Sequence, residues 1–188
     1  MSERVLVFDT TLRDGEQAAG VCFNERDKVE IARRLAAMRV DVIEAGFPAA
    51  SSAEAEAVSA VAREVSGATI CGLARAVLFD VAAAGGARRG ADRPRIHVFV
   101  SSSDVHLAHQ LRKDREDVLA MAEAAVRRAR NFTDDVEFSP MDATRADPDF
   151  VAAVVAAALA AGATTINIPD TVGCVLPHRL QEMIRELY

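Results

Sequence analysis

The sequence predicts an α/β fold, and three observations support this prediction. Short apolar strands alternate with helices at intervals of about thirty residues, which is typical of a parallel sheet with right-handed crossovers. Charged or hydroxyl residues follow nearly every strand, whereas a doubly wound sheet would gather them at one switch point. Neither a GxGxxG nor a P-loop motif is present to favour a nucleotide-binding fold. We therefore predict a TIM (β/α)₈ barrel.

Each predicted element has a local signal. The strands are short apolar runs at residues 5–8, 41–45, 69–73, 95–100, 135–138 and 164–168. Asn24 caps the first helix, Ser51 with Glu54 resembles a capping box, and Asp147 precedes a helix that begins with proline. The predicted helices cover residues 25–38, a segment opening at 51, about 77–88, 115–130, 148 to about 161, and a last one from near 177.

The chain therefore contains about six of the eight units that a barrel needs. We expect residues 1–188 to form a partial TIM-barrel catalytic domain, without strands seven and eight or any C-terminal domain. Two strand edges would then be open, and we expect another chain to complete the barrel.

Composition excludes several classes of protein. The net charge of −6 argues against a nucleic-acid partner, and no apolar run is long enough to span a membrane. The N-terminus leads directly into a strand without a secretory apolar region, so we expect a cytoplasmic protein. Cys22, Cys71 and Cys174 lack CxxC spacing and are expected to be reduced, buried small residues.

The most informative motif is the charged run Asp-Thr-Thr-Leu-Arg-Asp-Gly-Glu-Gln at residues 9–17, directly after the first apolar strand. It places a cation, carboxylates and an amide at the carboxyl end of a strand, where parallel α/β proteins carry out their chemistry. Charges gathered so closely beside an apolar strand are costly unless they bind something. The motif therefore indicates a binding or catalytic site.

This run resembles the signature of the family of 2-isopropylmalate, homocitrate and citramalate synthases, and it is more similar to these enzymes than to hydroxymethylglutaryl-CoA lyases. Further segments match in order along essentially the whole chain: Val-Ile-Glu-Ala-Gly-Phe-Pro at 42–48, Leu-Ala-Arg at 73–75, Ile-His-Val-Phe at 96–99, Phe-Ser-Pro at 138–140 and Thr-Ile-Asn-Ile-Pro-Asp-Thr-Val-Gly at 165–173. The resemblance implies a TIM barrel that condenses acetyl-CoA with a 2-oxo acid at a divalent metal and then hydrolyses the thioester.

The resemblance also implies roles for individual residues. Asp14 matches a ligand of the divalent metal (Mg, Mn or Zn). Arg13 matches the catalytic residue that binds the 2-oxo group and stabilises it as it becomes an alkoxide. His97, Ser139 and Thr171 match positions that bind the 2-oxo acid. A cation and a guanidinium can together polarise a ketone, which agrees with these assignments.

Three departures from the family pattern are present, and the first of them decides the expected assembly. The family's other metal ligands form a His-x-His pair on strand seven, and no His-x-His occurs in this chain. We therefore expect a hetero-oligomer in which a second polypeptide supplies strands seven and eight and the His-x-His pair. In addition, Met141 stands where the family usually has Glu, and Cys174 replaces a usual Tyr. Asp142 follows Met141 and, in an extended strand, would point the other way.

Three alternatives remain open in the sequence. The chain is a subunit of a split synthase, a non-catalytic scaffold or regulatory subunit, or a truncated fragment that is inactive alone. Glu44 could support the site or pair with Arg75. His106 and His109 have metal-like spacing, but the polar segment around them favours an exposed loop.

Overall fold

The computed structural model describes residues 4–187 and confirms the α/β prediction. Six strands hydrogen-bond in the order β1-β2-β3-β4-β5-β6, which is also their order along the chain. The pairs β1–β2, β2–β3 and β5–β6 are parallel. This order is that of an incomplete TIM barrel, because a doubly wound sheet reverses its strand order at a switch point.

The observed elements follow the predicted alternation closely. The strands are β1 Phe8–Asp9, β2 Val42–Gly46, β3 Thr69–Arg75, β4 Pro94–Ser101, β5 Val136–Met141 and β6 Thr165–Ile166. The helices are α1 Glu25–Ala37, α2 Ser52–Glu64, α3 Leu78–Ala87, the short α4 Asp104–His106, α5 Arg115–Arg130, α6 Pro148–Ala161 and α7 Pro177–Leu187. Among residues 4–187, no helix is both long and apolar enough to cross a membrane.

The chain divides into two compact units. Unit 1 comprises residues up to 74 together with 79–97, and unit 2 comprises residues 75–78 together with those from 98 onwards. Each unit has its own buried cluster and carries its own subset of the predicted site residues.

Unit 1 is built around the apolar faces of α1 and α2 and the strands beside them. Its buried core includes Leu12, Ile43, Val58, Val61 and Ile70. The predicted N-cap of α1 is confirmed, and it is a full capping box in which Asn24 and Asp27 bind each other's backbone N–H groups. The second predicted capping box is only half right. Ser51 accepts from the Glu54 N–H as expected, but the Glu54 carboxylate binds elsewhere.

Unit 2 contains the two helices whose limits agree with the prediction at both ends, α5 and α6. Asp114 caps α5, and Asp147 caps α6 with Pro148 behind it. Gly162 ends α6 in the left-handed region at φ 109°, where a side chain would be strained. A smaller cluster centred on Val151 and Val155 lies beneath the end of β5.

Two predictions of burial are wrong: that residues 5–7 form part of a buried first strand, and that all three cysteines are buried. Strand β1 begins at Phe8, pairing with β2 begins at the Val7 carbonyl, and the side chains of residues 5–7 are exposed. Cys71 is buried as expected, whereas Cys22 and Cys174 are exposed because both lie in loops.

Candidate active site

Unit 1 brings together three side chains: Arg13 from the turn after β1, Glu44 from the middle of β2 and His97 from the middle of β4. Arg13 Nε donates to Glu44 Oε2 over 2.6 Å, and His97 Nδ1 lies 2.7 Å from Glu44 Oε1. Glu44 is fully buried and His97 is nearly so. An ionised carboxylate only accepts, so the His97 Nδ1 carries the proton in this contact. Glu44 therefore fixes the orientation of both a guanidinium and an imidazole.

The protonation state of Glu44 follows from these partners. Burial by itself raises the pKa of the Glu44 carboxyl, because it removes water from the charged form. The hydrogen bond and charge of His97, followed by those of Arg13, outweigh burial and leave the pKa below its ordinary value. Glu44 is thus a carboxylate at neutral pH. Of the two sequence alternatives for Glu44, its contacts with Arg13 and His97 agree with a supporting role at the site.

Asp14 lies beside this group but differs from it in exposure. Its Oδ1 accepts from Arg13 Nη1 over 2.9 Å, while its side chain is 63% exposed. Within residues 4–187, no cluster of three or more His, Cys, Asp or Glu side chains is arranged to hold a metal ion. A divalent cation needs more ligands than one carboxylate. The described residues therefore do not fit a complete metal site, although Asp14 is accessible to an ion.

In unit 2, Ser139 and Thr171 differ in their surroundings. Ser139 is buried on β5, and its hydroxyl accepts from the Asn167 side-chain amide over 2.9 Å. Thr171 is exposed in the loop after β6, and its hydroxyl accepts from the Asp142 backbone N–H over 2.9 Å. Because that N–H occupies an acceptor position of the Thr171 oxygen, the hydroxyl proton remains available for donation to another group.

Asp142 is a supporting residue that sequence reasoning placed wrongly. Strand β5 ends at Met141, and Asp142 adopts a left-handed conformation at φ 64°, so the alternation rule for strands no longer applies to it. Its carboxylate is fully buried and accepts from Ser103 Oγ over 2.6 Å and from two nitrogens of Arg145 over 2.8 and 2.7 Å. The hydrogen bond from Arg145 is the main cause that holds the pKa of Asp142 below its usual value.

The segment that contains His106 and His109 is not the exposed loop that we predicted. It forms α4 and a π-helical turn, Leu107–Leu111, with Leu107 buried. His106 is half-buried, with Nδ1 3.4 Å from Asp142 Oδ2, whereas His109 is exposed. The two imidazoles therefore have different surroundings: that of His106 lies near the Asp142 carboxylate, and that of His109 is exposed to solvent.

Comparison with known proteins identifies the family. The HMGL-like family profile matches residues 4–188. The chain belongs to the HMGL-like family. The 2-isopropylmalate synthase of Pelotomaculum thermopropionicum is 55% identical over 188 residues, and that of Gloeobacter violaceus is 56% identical over 186 residues. These matches cover 100% and 97% of this chain but only 37% and 35% of the relatives, so the chain spans little more than a third of their length.

Solved structures of HMGL-like proteins agree with the fold. The HMG-CoA lyase from Brucella melitensis matches with a TM-score of 0.79 and 22% identity, over 99% of this chain and 68% of that one. The hydroxymethylglutaryl-CoA lyase from Pseudomonas aeruginosa matches with a TM-score of 0.78 and 22% identity, over 98% and 63%. At this identity the likeness shows the fold alone. The resemblance to synthases over the whole chain is confirmed by sequence.

Proposed function

We propose that this chain supplies part of the active site of an enzyme that condenses acetyl-CoA with a 2-oxo acid, as a 2-isopropylmalate synthase does. The main support is the buried Arg13–Glu44–His97 group, in a chain that is more than half identical to such synthases. In this reaction the enolate carbon of the acetyl thioester attacks the ketone carbon, and the ketone oxygen becomes an alkoxide. Hydrolysis of the thioester then releases coenzyme A and the product acid.

The proposed role of Arg13 is to bind the ketone oxygen and stabilise the alkoxide. A guanidinium held in a fixed direction needs no reorganisation when negative charge develops, and such donors are worth about 3–4 kcal/mol in a reaction of this kind. Glu44 and Asp14 hold Arg13 Nε and Nη1 respectively. His97, Ser139 and Thr171 stay predicted ligands of the 2-oxo acid, with Thr171 donating its hydroxyl proton to the acid's carboxylate.

For the metal, we propose that Asp14 supplies one ligand and that the remaining ligands come from outside the described residues. The support is the exposed Asp14 carboxylate in a donor set that is too small to hold a divalent ion. A His-x-His pair carried by a second polypeptide, or by another part of a longer protein, would complete it. When bound, the metal would act as a Lewis acid toward the 2-oxo acid. A cytoplasmic location remains a prediction.

A second candidate function is that of a non-catalytic scaffold or regulatory subunit, and Met141 favours it. A thioether cannot transfer a proton, and the neighbouring Asp142 is engaged by Ser103 and Arg145 with its pKa lowered. Asp142 therefore does not replace the Glu that the family usually has at position 141. In this alternative the Arg13 group would maintain the fold of a larger assembly without taking part in its chemistry.

The test is an assay of the complete enzyme that contains this chain, with acetyl-CoA, a panel of 2-oxo acids and Mg²⁺, Mn²⁺ or Zn²⁺. We expect release of coenzyme A by the complete enzyme and none by the chain of residues 1–188 alone. Asp14→Ala should abolish metal-stimulated release, whereas Asp134→Ala, at a 98% exposed side chain, should not. Unchanged activity in Asp14→Ala would favour the non-catalytic alternative, and full activity of the isolated chain would refute the need for outside ligands.

A further inference from the structure

Lys28 has an unusual environment for a lysine. It lies in the first turn and a half of α1, and its side chain is completely inaccessible to solvent. Its Nζ lies 2.7 and 2.8 Å from the two carboxylate oxygens of Glu54 and 2.8 Å from Glu16 Oε2. A cation near the N-terminus of a helix is opposed by the helix dipole, so the two carboxylates must offset both this term and the loss of hydration.

The same ammonium group also binds two backbone carbonyls that flank the candidate site. Nζ donates to the Leu12 carbonyl over 3.1 Å and to the Ala45 carbonyl over 3.4 Å. Leu12 directly precedes Arg13, and Ala45 directly follows Glu44. One buried nitrogen therefore joins the backbones on both sides of the Arg13–Glu44 ion pair.

The two carboxylates extend this connection into the loop between β1 and α1 and into the turn after β2. Glu16 Oε1 accepts from the Phe23 N–H over 2.9 Å, so Glu16 links the middle of the loop at residues 10–23 to its end. Glu54 Oε1 accepts from the Phe47 N–H over 3.0 Å. Glu16 and Glu54 therefore each bind both Lys28 and a backbone N–H group, that of Phe23 or that of Phe47.

Stability alone gives no reason for this arrangement. Replacing a buried ion group by apolar side chains of similar volume often leaves the stability of a protein unchanged or raises it. What a buried ion group can provide is a fixed relative position for the residues that form it. We propose that Lys28, with Glu16 and Glu54, is a positioning group that sets the orientation of Arg13 and Asp14 for the reaction. This inference rests on the proposed function, since it names the residues that position its central guanidinium.

The experiment compares three variants of the complete enzyme: Lys28→Met, Glu16→Gln and the control Lys113→Met. Lys113 is exposed and pairs with the exposed Asp117, so this control removes a lysine charge that has no buried partner. Glu16→Gln keeps an oxygen for the Phe23 N–H but replaces the oxygen that faces Lys28 with an uncharged NH2 group, which keeps the test informative if Lys28→Met does not fold. Amide hydrogen exchange of residues 10–23, kcat and the KM for the 2-oxo acid are measured for each.

We expect Glu16→Gln to accelerate exchange in residues 10–23 by about tenfold while α1 and α2 stay protected. Misplacing a catalytic group by about 1 Å can cost about a hundredfold, so kcat/KM should fall by about 10- to 100-fold. Lys28→Met should show both effects more strongly, and Lys113→Met neither. Unchanged exchange in the loop, or faster exchange with unchanged kcat/KM, would overturn the proposal. If the wild-type complete enzyme does not release coenzyme A, the proposed function fails, while accelerated exchange would still support Lys28 as the residue that fixes the loop.

Discussion

The two units support their predicted site residues in different ways. In unit 1, Arg13 and His97 share the fully buried carboxylate of Glu44, and a second ion group around Lys28 lies beneath them. In unit 2, the buried carboxylate of Asp142 binds Ser103 and Arg145, and the backbone N–H of Asp142 donates to the hydroxyl of the exposed Thr171.

This difference indicates which region should tolerate change. Removing one partner from a buried ion group leaves an uncompensated charge and costs several kcal/mol. Losing a single hydrogen bond between neutral groups costs about 1 kcal/mol. We therefore expect substitutions in the unit 1 group to affect folding and activity together, and substitutions at Thr171 to affect ligand binding with little effect on stability.

The largest effect is expected for Glu44→Gln. The amide cannot balance the charge of Arg13, so the free energy of unfolding should fall by about 3 kcal/mol and condensation by about a hundredfold. Urea denaturation and the coenzyme A assay measure the two effects. Glu64→Gln is the control, because its pair with Arg33 is exposed and should change stability by less than about 0.5 kcal/mol. Equal losses in the two variants would contradict the contrast between buried and exposed pairs.

The next effect is expected for Gly46→Ala. A Cβ at Gly46 would lie 2.0 Å from Glu54 Oε1 and 2.9 Å from a Val58 methyl, which would force Glu54 away from Lys28. We expect a loss of about 1–3 kcal/mol in the free energy of unfolding. Gly86→Ala in α3 meets nothing within 4 Å and should instead stabilise the helix by about 0.5–1 kcal/mol. A Gly46→Ala protein as stable as the wild type would show that Glu54 can move freely.

A smaller and pH-dependent effect is expected for Asp142→Asn. Because the folded-state pKa of Asp142 is lowered, chiefly by Arg145, its ionised form stabilises the fold above the unfolded pKa of about 3.9. That contribution is lost as the pH falls through the lower folded-state pKa. We expect the variant to be about 1–2 kcal/mol less stable at pH 7 and the gap to the wild type to narrow below about pH 4. A gap that stays constant in denaturation curves from pH 7 to pH 3 would contradict this.

The smallest effect on stability is expected for Thr171→Val. The valine leaves the Asp142 N–H without the hydroxyl acceptor, which should cost about 1 kcal/mol. Calorimetric affinity of the complete enzyme for the 2-oxo acid should fall by about tenfold, and Thr171→Ser should restore it. Normal affinity in Thr171→Val would remove Thr171 from the binding site.

Local signals predicted helices better than strands. Helices α5 and α6 begin at aspartate caps that the sequence displays, and their limits were predicted at both ends. Strand limits depend on partners elsewhere in the chain. The apolar residues Val5 to Val7 resemble a strand, yet ladder pairing places β1 at Phe8–Asp9. The existence of each strand was therefore predictable, and its limits were less so.

In the candidate site, likewise, individual residues were predictable from the sequence, but the contacts between distant residues were not. The charged run after β1 indicated Arg13 and Asp14, whereas the sequence left Glu44 open between a supporting role and a pair with Arg75. No local signal joins Glu44 to His97, 53 residues later. Lys28 had a weak signal, since it lies four residues before the buried Ala32 and thus on the buried face of α1. Asp142 had none, because its left-handed backbone is not readable from the sequence around it.

The most direct test of the central claim is the rate of coenzyme A release by the complete enzyme with Arg13→Gln, measured beside Arg33→Gln. Both variants lose one guanidinium that pairs with a carboxylate, but Glu44 beside Arg13 is buried and Glu64 beside Arg33 is exposed. If Arg13 stabilises the developing alkoxide, its variant should lose about 100- to 1000-fold in kcat while Arg33→Gln stays near the wild type. An Arg13→Gln enzyme that retains the wild-type kcat would contradict the account.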